Sequence, residues 1–329
     1  MTYGEAIKEG FSALNRNWQL VLVQLVVSII GCMGFIFIVA LPIVIALLII
    51  GFNPLTIVSL SHSPLAILSQ NLGLLILVGG LFILYILCIS TLGLYLYGAS
   101  AGMISRGIMD DSERFSMNAF FAEGKRLFLP VIGYTALTGL IAIGMLLLFA
   151  ISAFGAFTLI SYAKSLSLTL SIFIGVFFSI TGIIIGALSF FGILSVTVYG
   201  TGSIAMKGTT VTEALKDALR YLSDRPQAFW FYVLLSLAYF IFTILLSLIG
   251  LPLRAIPFVG LILCLPYQIL VYALQGYAGL MLISIVFSYY YKTDVFTPGV
   301  TSGTSIPETG TSSKDQGQDP SRNPSLSGE

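Results

Sequence analysis

The sequence predicts an all-α fold, a polytopic transmembrane helix bundle of about six spans, built from three repeats of one amphipathic helix plus two spans. Three observations predict it. Hydrophobic residues make up 57% of the 329 positions and charged residues only 9%, where soluble domains carry roughly 25% charged residues. The apolar residues gather in charge-free stretches long enough to cross a bilayer, which takes about 20 residues. The charges between those stretches sit in short amphipathic segments, and two of these segments match in sequence. With 15 basic and 14 acidic residues the chain cannot cover a water-facing surface. A net charge of +1 leaves no basic footprint for nucleic acid. An ordinary soluble enzyme and a nucleic-acid binder are both excluded.

The elements follow in chain order. Thr2-Tyr3-Gly4-Glu5 has the capping-box spacing, in which the threonine oxygen takes an amide at the helix start and the glutamate reaches back. Tyr3, Ala6, Ile7, Phe11, Leu14 and Trp18 then fall on one helical face. The first span covers residues 18–50. It is far longer than the 7–15 apolar residues of a signal sequence and follows mixed charges, so it is expected to stay as an anchor. The second span covers 72–104. A weaker amphipathic segment, 116–128, precedes the third span at 129–161, and its Glu123-Gly124 matches Glu9-Gly10. The fourth span covers 168–206. The segment from Thr210 to Asp217 then lays onto Thr2 to Glu9 with four identical positions. The fifth and sixth spans cover 227–250 and 256–290.

Several stretches exceed 30 residues. Breaks are expected at Pro42, Gly79-Gly80, Pro257 and Pro266, since proline removes a backbone donor. An eight-span arrangement that splits two long runs is the rival topology. The ends of the even spans echo one another, with Tyr97-Gly98-Ala99-Ser100 beside Tyr199-Gly200-Thr201-Gly202. Gly98-x-x-x-Gly102 and Gly182-x-x-x-Gly186 read as faces for close helix approach inside the bundle.

Orientation follows from Lys and Arg in the short connections. Lys8, Arg16, Arg106, Arg114, Lys125, Arg126, Lys207, Lys216, Arg220, Arg225 and Lys292 fall on one side, and only Lys164 and Arg254 on the other. Both termini are therefore expected in the cytoplasm, with the protein in the cell membrane. Trp18 and Tyr289-Tyr290-Tyr291 fit the aromatic belt at the same interface. Residues 1–291 form the transmembrane domain, and 292–329, rich in Thr, Ser, Gly and Pro, a disordered cytoplasmic tail, read as inert.

The spans hold no Asp, Glu, Lys, Arg or His. Such residues usually mark proton relays and ion paths, so a proton-coupled transporter and a metal-dependent intramembrane enzyme are both disfavoured. Cys32, Cys88 and Cys264 sit singly in apolar runs and read as buried small hydrophobes. His62, in a serine-rich turn, reads as a surface histidine, and Asp110-Asp111 as a solvated turn. No catalytic, metal or cofactor residue is assigned and no cofactor is expected. Two candidate sets remain. Gln24, Gln268 and Gln275 form a candidate polar groove, with the two last-span glutamines seven apart on one face; the plainer reading is hydrogen bonding between helices. Lys125, Arg126, Lys216, Arg220 and Arg225 are candidate lipid-headgroup contacts. Against them stand Glu123, Glu213, Asp217 and Asp224, which cancel the field, so the plainer reading makes these helices packing elbows.

The openings at Thr2 to Phe11 and Thr210 to Leu219, and the Tyr-Gly turns at 97–98 and 199–200, resemble prokaryotic multi-pass proteins of unknown function and the membrane domain found beside glycerophosphodiester phosphodiesterases. The likeness covers residues 1 to about 290, and the catalytic domain of that family is absent. It implies a membrane-embedded helper, with the lipid bilayer and a membrane or cytoplasmic protein as partners. Reporter fusions test the orientation: signals at Leu60 and Ser165 are expected outside, and at Phe115, Thr210 and Val300 inside. A cytoplasmic signal at Leu60 overturns the six-span arrangement.

Overall fold

The computed structural model describes residues 2–49, 72–110, 112–254 and 259–295. The turn holding His62, Asp111, Pro257 and the segment from 296 onward lie outside the described residues, as do the side chains of Arg254 and Cys264. The elements run α1 (Tyr3–Arg16), α2 (Gln19–Phe35), α3 (Leu41–Ile49), α4 (Leu72–Met109), α5 (Met117–Leu166), α6 (Leu168–Lys207), α7 (Val211–Asp224), α8 (Pro226–Arg254) and α9 (Val259–Tyr290). Among the described residues, six helices are long and apolar enough to cross a membrane. The chain is an all-α, multi-pass integral membrane protein.

Among the described residues, none of the long runs splits into two crossings. Gly79 and Gly80 lie inside α4 and Pro266 inside α9, both continuous. Pro42 acts more subtly. The five residues Ile36–Ala40 form a π-helical turn between α2 and α3, and the Leu41 N–H bonds back to the Ile36 carbonyl. The wider turn takes up the lost proline donor locally, and the helix goes on. The segment 116–128 is likewise no separate helix. It is the first part of α5, which runs 50 residues through Pro130.

The two matched segments start as their capping boxes require. Glu5 Oε2 accepts the Thr2 backbone N–H at 3.0 Å, and Glu213 Oε2 accepts the Thr210 N–H at 3.0 Å. These backbone bonds hold both carboxyls below their usual range. At its other end α6 stops at Gly208, whose φ of +67° is the left-handed cap that glycine adopts without strain.

Deep burial concentrates at the end of the bundle that carries α1 and α7. The largest fully buried side chains include Leu14, Met103, Phe120, Tyr134, Tyr199, Phe287 and Tyr290. Towards the other end the α5–α6 hairpin is apolar and outward-facing, with Phe154 71% and Phe173 72% exposed, as lipid contact requires. Cys32 and Cys88 are exposed there too, so they are lipid-facing and not interior thiols. The two glycine pairs part company. Gly98 and Gly102 let α4 approach Glu123 and Leu127 of α5, whereas Gly182 and Gly186 have nothing within 4 Å of an added Cβ.

One contact recurs three times. An elbow segment rests on the end of a neighbouring span, and each carries a small buried residue with an acid beside it. On α1, Gly10 meets Ile285 of α9, Ser284 donates to the Gly10 carbonyl at 2.8 Å, and Glu9 pairs with Lys292. On the first turns of α5, Gly124 meets the Tyr95 ring of α4 and Glu123 pairs with Arg106. On α7, buried Ala218 lies beside Asp217, which takes the Ser203 hydroxyl at 3.2 Å and Lys207 at 3.7 Å from α6. The elbow faces are therefore narrower than the sequence pattern: Ala6, Gly10, Ala13 and Leu14 are buried, while Ile7, Phe11 and Trp18 are 43–49% exposed. A Cβ on Gly10 would lie 2.5 Å from the Ile285 Cα, a backbone atom that cannot move aside cheaply. Gly10→Ala is expected to cost about 1–3 kcal/mol, read as a lower thermal midpoint in detergent. Gly139→Ala, where an added Cβ meets nothing within 4 Å, should be neutral or slightly stabilising.

Candidate functional site

Two of the three candidate groove glutamines come together. Gln24 of α2 and Gln275 of α9 line a cleft of about 240 Å³ with Ser28, Tyr239 of α8 and Tyr272. Gly276 leaves room for the Gln24 amide against the α9 backbone, since an added Cβ would sit 3.2 Å from Gln24 Oε1. The result is a set of amide and hydroxyl groups that donate and accept hydrogen bonds, set among apolar spans. Such groups select uncharged polar partners by hydrogen bonding. Gln268 does not join them. Seven residues earlier on α9, it lies about 10 Å away along the axis and outside the cleft lining. Tyr272 was legible, being three residues before Gln275 and so on its face. Tyr239 carries no such signal, because it arrives from another helix.

The five basic candidates divide. Arg126 is engaged inside the protein. Its guanidinium contacts Glu123 Oε2 at 2.7 Å and donates to the Ala205 carbonyl of α6 at 3.2 Å. Glu123 is 1% exposed and also pairs with Arg106, so one buried carboxylate ties α4, α5 and α6 together. Neither of its oxygens is aligned for a directed hydrogen bond, so attraction between charges carries the contact. Lys125, Lys216, Arg220 and Arg225 are exposed. Of these, Arg220 pairs with Asp224 at 3.7 Å with both side chains about 70% exposed, a weak surface pair.

Among the described residues no group of three or more His, Cys, Asp or Glu lies together as a metal site would need. Asp110 faces its own turn, accepting the Ser112 N–H and hydroxyl at 2.8 and 2.7 Å, and the hydroxyl bond holds its carboxyl below the usual range. Comparison with family models, with curated proteins and with solved structures finds no match to this chain.

The buried carboxylate generates a stability test. Glu123→Ala removes the carboxylate that Arg106 and Arg126 share, but Arg106 keeps Glu113 at 3.8 Å, Arg126 keeps the Ala205 carbonyl, and their side chains are 35% and 50% exposed and can turn to water. The cost is expected at about 2–3 kcal/mol, below the loss for a fully buried pair. The same change in an Arg106→Gln background should cost measurably less, and thermal unfolding of the four proteins gives the coupling.

Proposed function

We propose that this integral membrane protein works without covalent chemistry, as a scaffold or accessory membrane subunit of the cell membrane with both termini in the cytoplasm. The recurring elbow seat carries the reading. Three short-range anchors fix the charged end of the bundle as a stiff plate, and acids that lie on the elbows, Glu9, Glu123 and Asp217, turn to bases of the neighbouring spans. That is an arrangement for holding position.

A second reading has its own observation. The cleft at Gln24 and Gln275 places uncharged donors and acceptors inside the apolar bundle, as a facilitator for a lipid headgroup or small neutral solute requires. One set of vesicles tests both. With the purified protein reconstituted, phospholipids and phosphodiesters are expected to stay intact, and glycerol entry and lipid flip to match protein-free vesicles. Turnover would end the non-enzymatic reading. Flux that falls at least tenfold in a Gln24→Leu/Gln275→Leu variant would install the facilitator in place of the scaffold, and flux indifferent to that change would remove the cleft from the mechanism.

A further inference from the structure

A larger groove lies at the opposite flank of the charged end. It has a volume of about 500 Å³ and runs between α5, α6 and the outer face of α7, closing on Pro226 and Phe229 of α8. That is within the range of small-molecule sites, about 300–1,000 Å³. Its walls are apolar in effect. Leu215, Leu219 and Leu222 of α7 face Ile141 and Ile193, and the hydroxyls of Thr138 and Ser195 already donate to their own helices. Leu219 is 50% exposed at the mouth.

The rim is basic. Lys216 and Arg220 are four residues apart, hence neighbours along α7, and each follows a groove-lining leucine by one position. Arg225 caps the helix immediately before Pro226. The acids of α7 that should neutralise this rim are largely turned elsewhere. Asp217 faces Ser203 and Lys207 of α6, and Glu213 is folded back onto the Thr210 N–H and hydroxyl at the first turn. Along α7, Lys216, Arg220 and Arg225 are opposed by Asp224, 3.7 Å from Arg220, and by the charge of Glu213, three residues before Lys216.

The molecule contains its own comparison. A second apolar groove of about 410 Å³ lies between α2, α4 and the first turns of α5. Its elbow contributes Phe120 and Phe121 in the same way, but there Arg126 is committed to Glu123 and Ala205. Among the described residues, the α7 groove joins an apolar slot to three exposed basic side chains along its edge.

We propose that the α5–α6–α7 groove is a specific seat for an anionic phospholipid, with an acyl chain along Leu215, Leu219 and Ile193 and the phosphate at Lys216, Arg220 and Arg225. An amphiphile with an apolar tail and a negative head matches both halves of the site, and it reaches the groove directly from the leaflet that α7 faces. The seat is independent of the Gln24–Gln275 cleft and does not rest on the scaffold reading.

Native mass spectrometry of the full-length protein in detergent, titrated with phosphatidylglycerol or phosphatidylcholine, tests the seat. The wild type should retain phosphatidylglycerol about tenfold more tightly, given the attraction of each Lys or Arg near a phosphate. Lys216→Gln/Arg220→Gln/Arg225→Gln should bring the two lipids to parity, while Lys8→Gln, at an exposed lysine of α1 away from the groove, leaves the preference unchanged. Gly192→Phe tests the tail slot. Gly192 lines the groove and an added Cβ there meets nothing within 4 Å, so the ring enters without displacing backbone. This variant should weaken both lipids. Free glycerol phosphate at equal concentration should not compete. No preference in the wild type, a preference that survives the triple change, or competition by glycerol phosphate overturns the proposal. So does a groove found occupied by a second copy of the chain.

Discussion

The fold depends on the meeting of an elbow helix with the end of a neighbouring span. A membrane bundle has little hydrophobic drive to bring its helices together, because lipid tails are as apolar as leucine. Close packing and polar contact must do it. Here both occur at one level. Gly10 brings the α1 and α9 backbones near, Gly124 makes room for the Tyr95 ring, and Glu9, Glu123 and Asp217 meet Lys292, Arg106 and Lys207. Deep burial follows those contacts, and away from them the helices mostly present side chains to lipid.

This separation of tasks accounts for the division of chemistry along the bundle. Charges sit where water and headgroups reach them, so their partners carry no large desolvation cost. The exception is Glu123. It is buried, and it is the acid that holds two arginines instead of one. Inside the apolar region the polar groups are neutral, and most hydroxyls return a hydrogen bond to their own helix, as Thr138, Ser152 and Thr197 do. The Gln24–Gln275 cleft is where two amides from different helices share a cavity.

Much of the architecture was legible in the chain. Span positions follow from the length a bilayer demands, and α4, α6 and α9 begin or end within a few residues of the expected limits. The capping boxes at Thr2 and Thr210 were readable because their partners lie three residues away. What depends on distant pairing was not. Glu123 reads as one more surface acid until α4 brings Arg106 against it. Gln268 shares a helical face with Gln275, yet the neighbours that close the cleft stop short of it. Gly182 and Gly186 have the spacing of a packing face and no helix to pack on. Pro42 reads as a break, and a widened turn absorbs it.

The seat of α1 on α9 has a consequence for how the chain is made. The Ser284–Gly10 bond joins residues 274 positions apart. The first helix to leave the ribosome must therefore wait for the last one. Until α9 arrives, α1 can hold to α4 through the Arg16 bond to the Gly107 carbonyl but lacks its seat at Gly10, while its other apolar row, with Ile7 and Phe11, can rest on the bilayer surface. Folding is then closed late, by a contact of very long sequence separation. A ribosome stalled before α9 would release a chain whose opening helix is still without its mate, a clear mark for the machinery that removes unfinished membrane proteins.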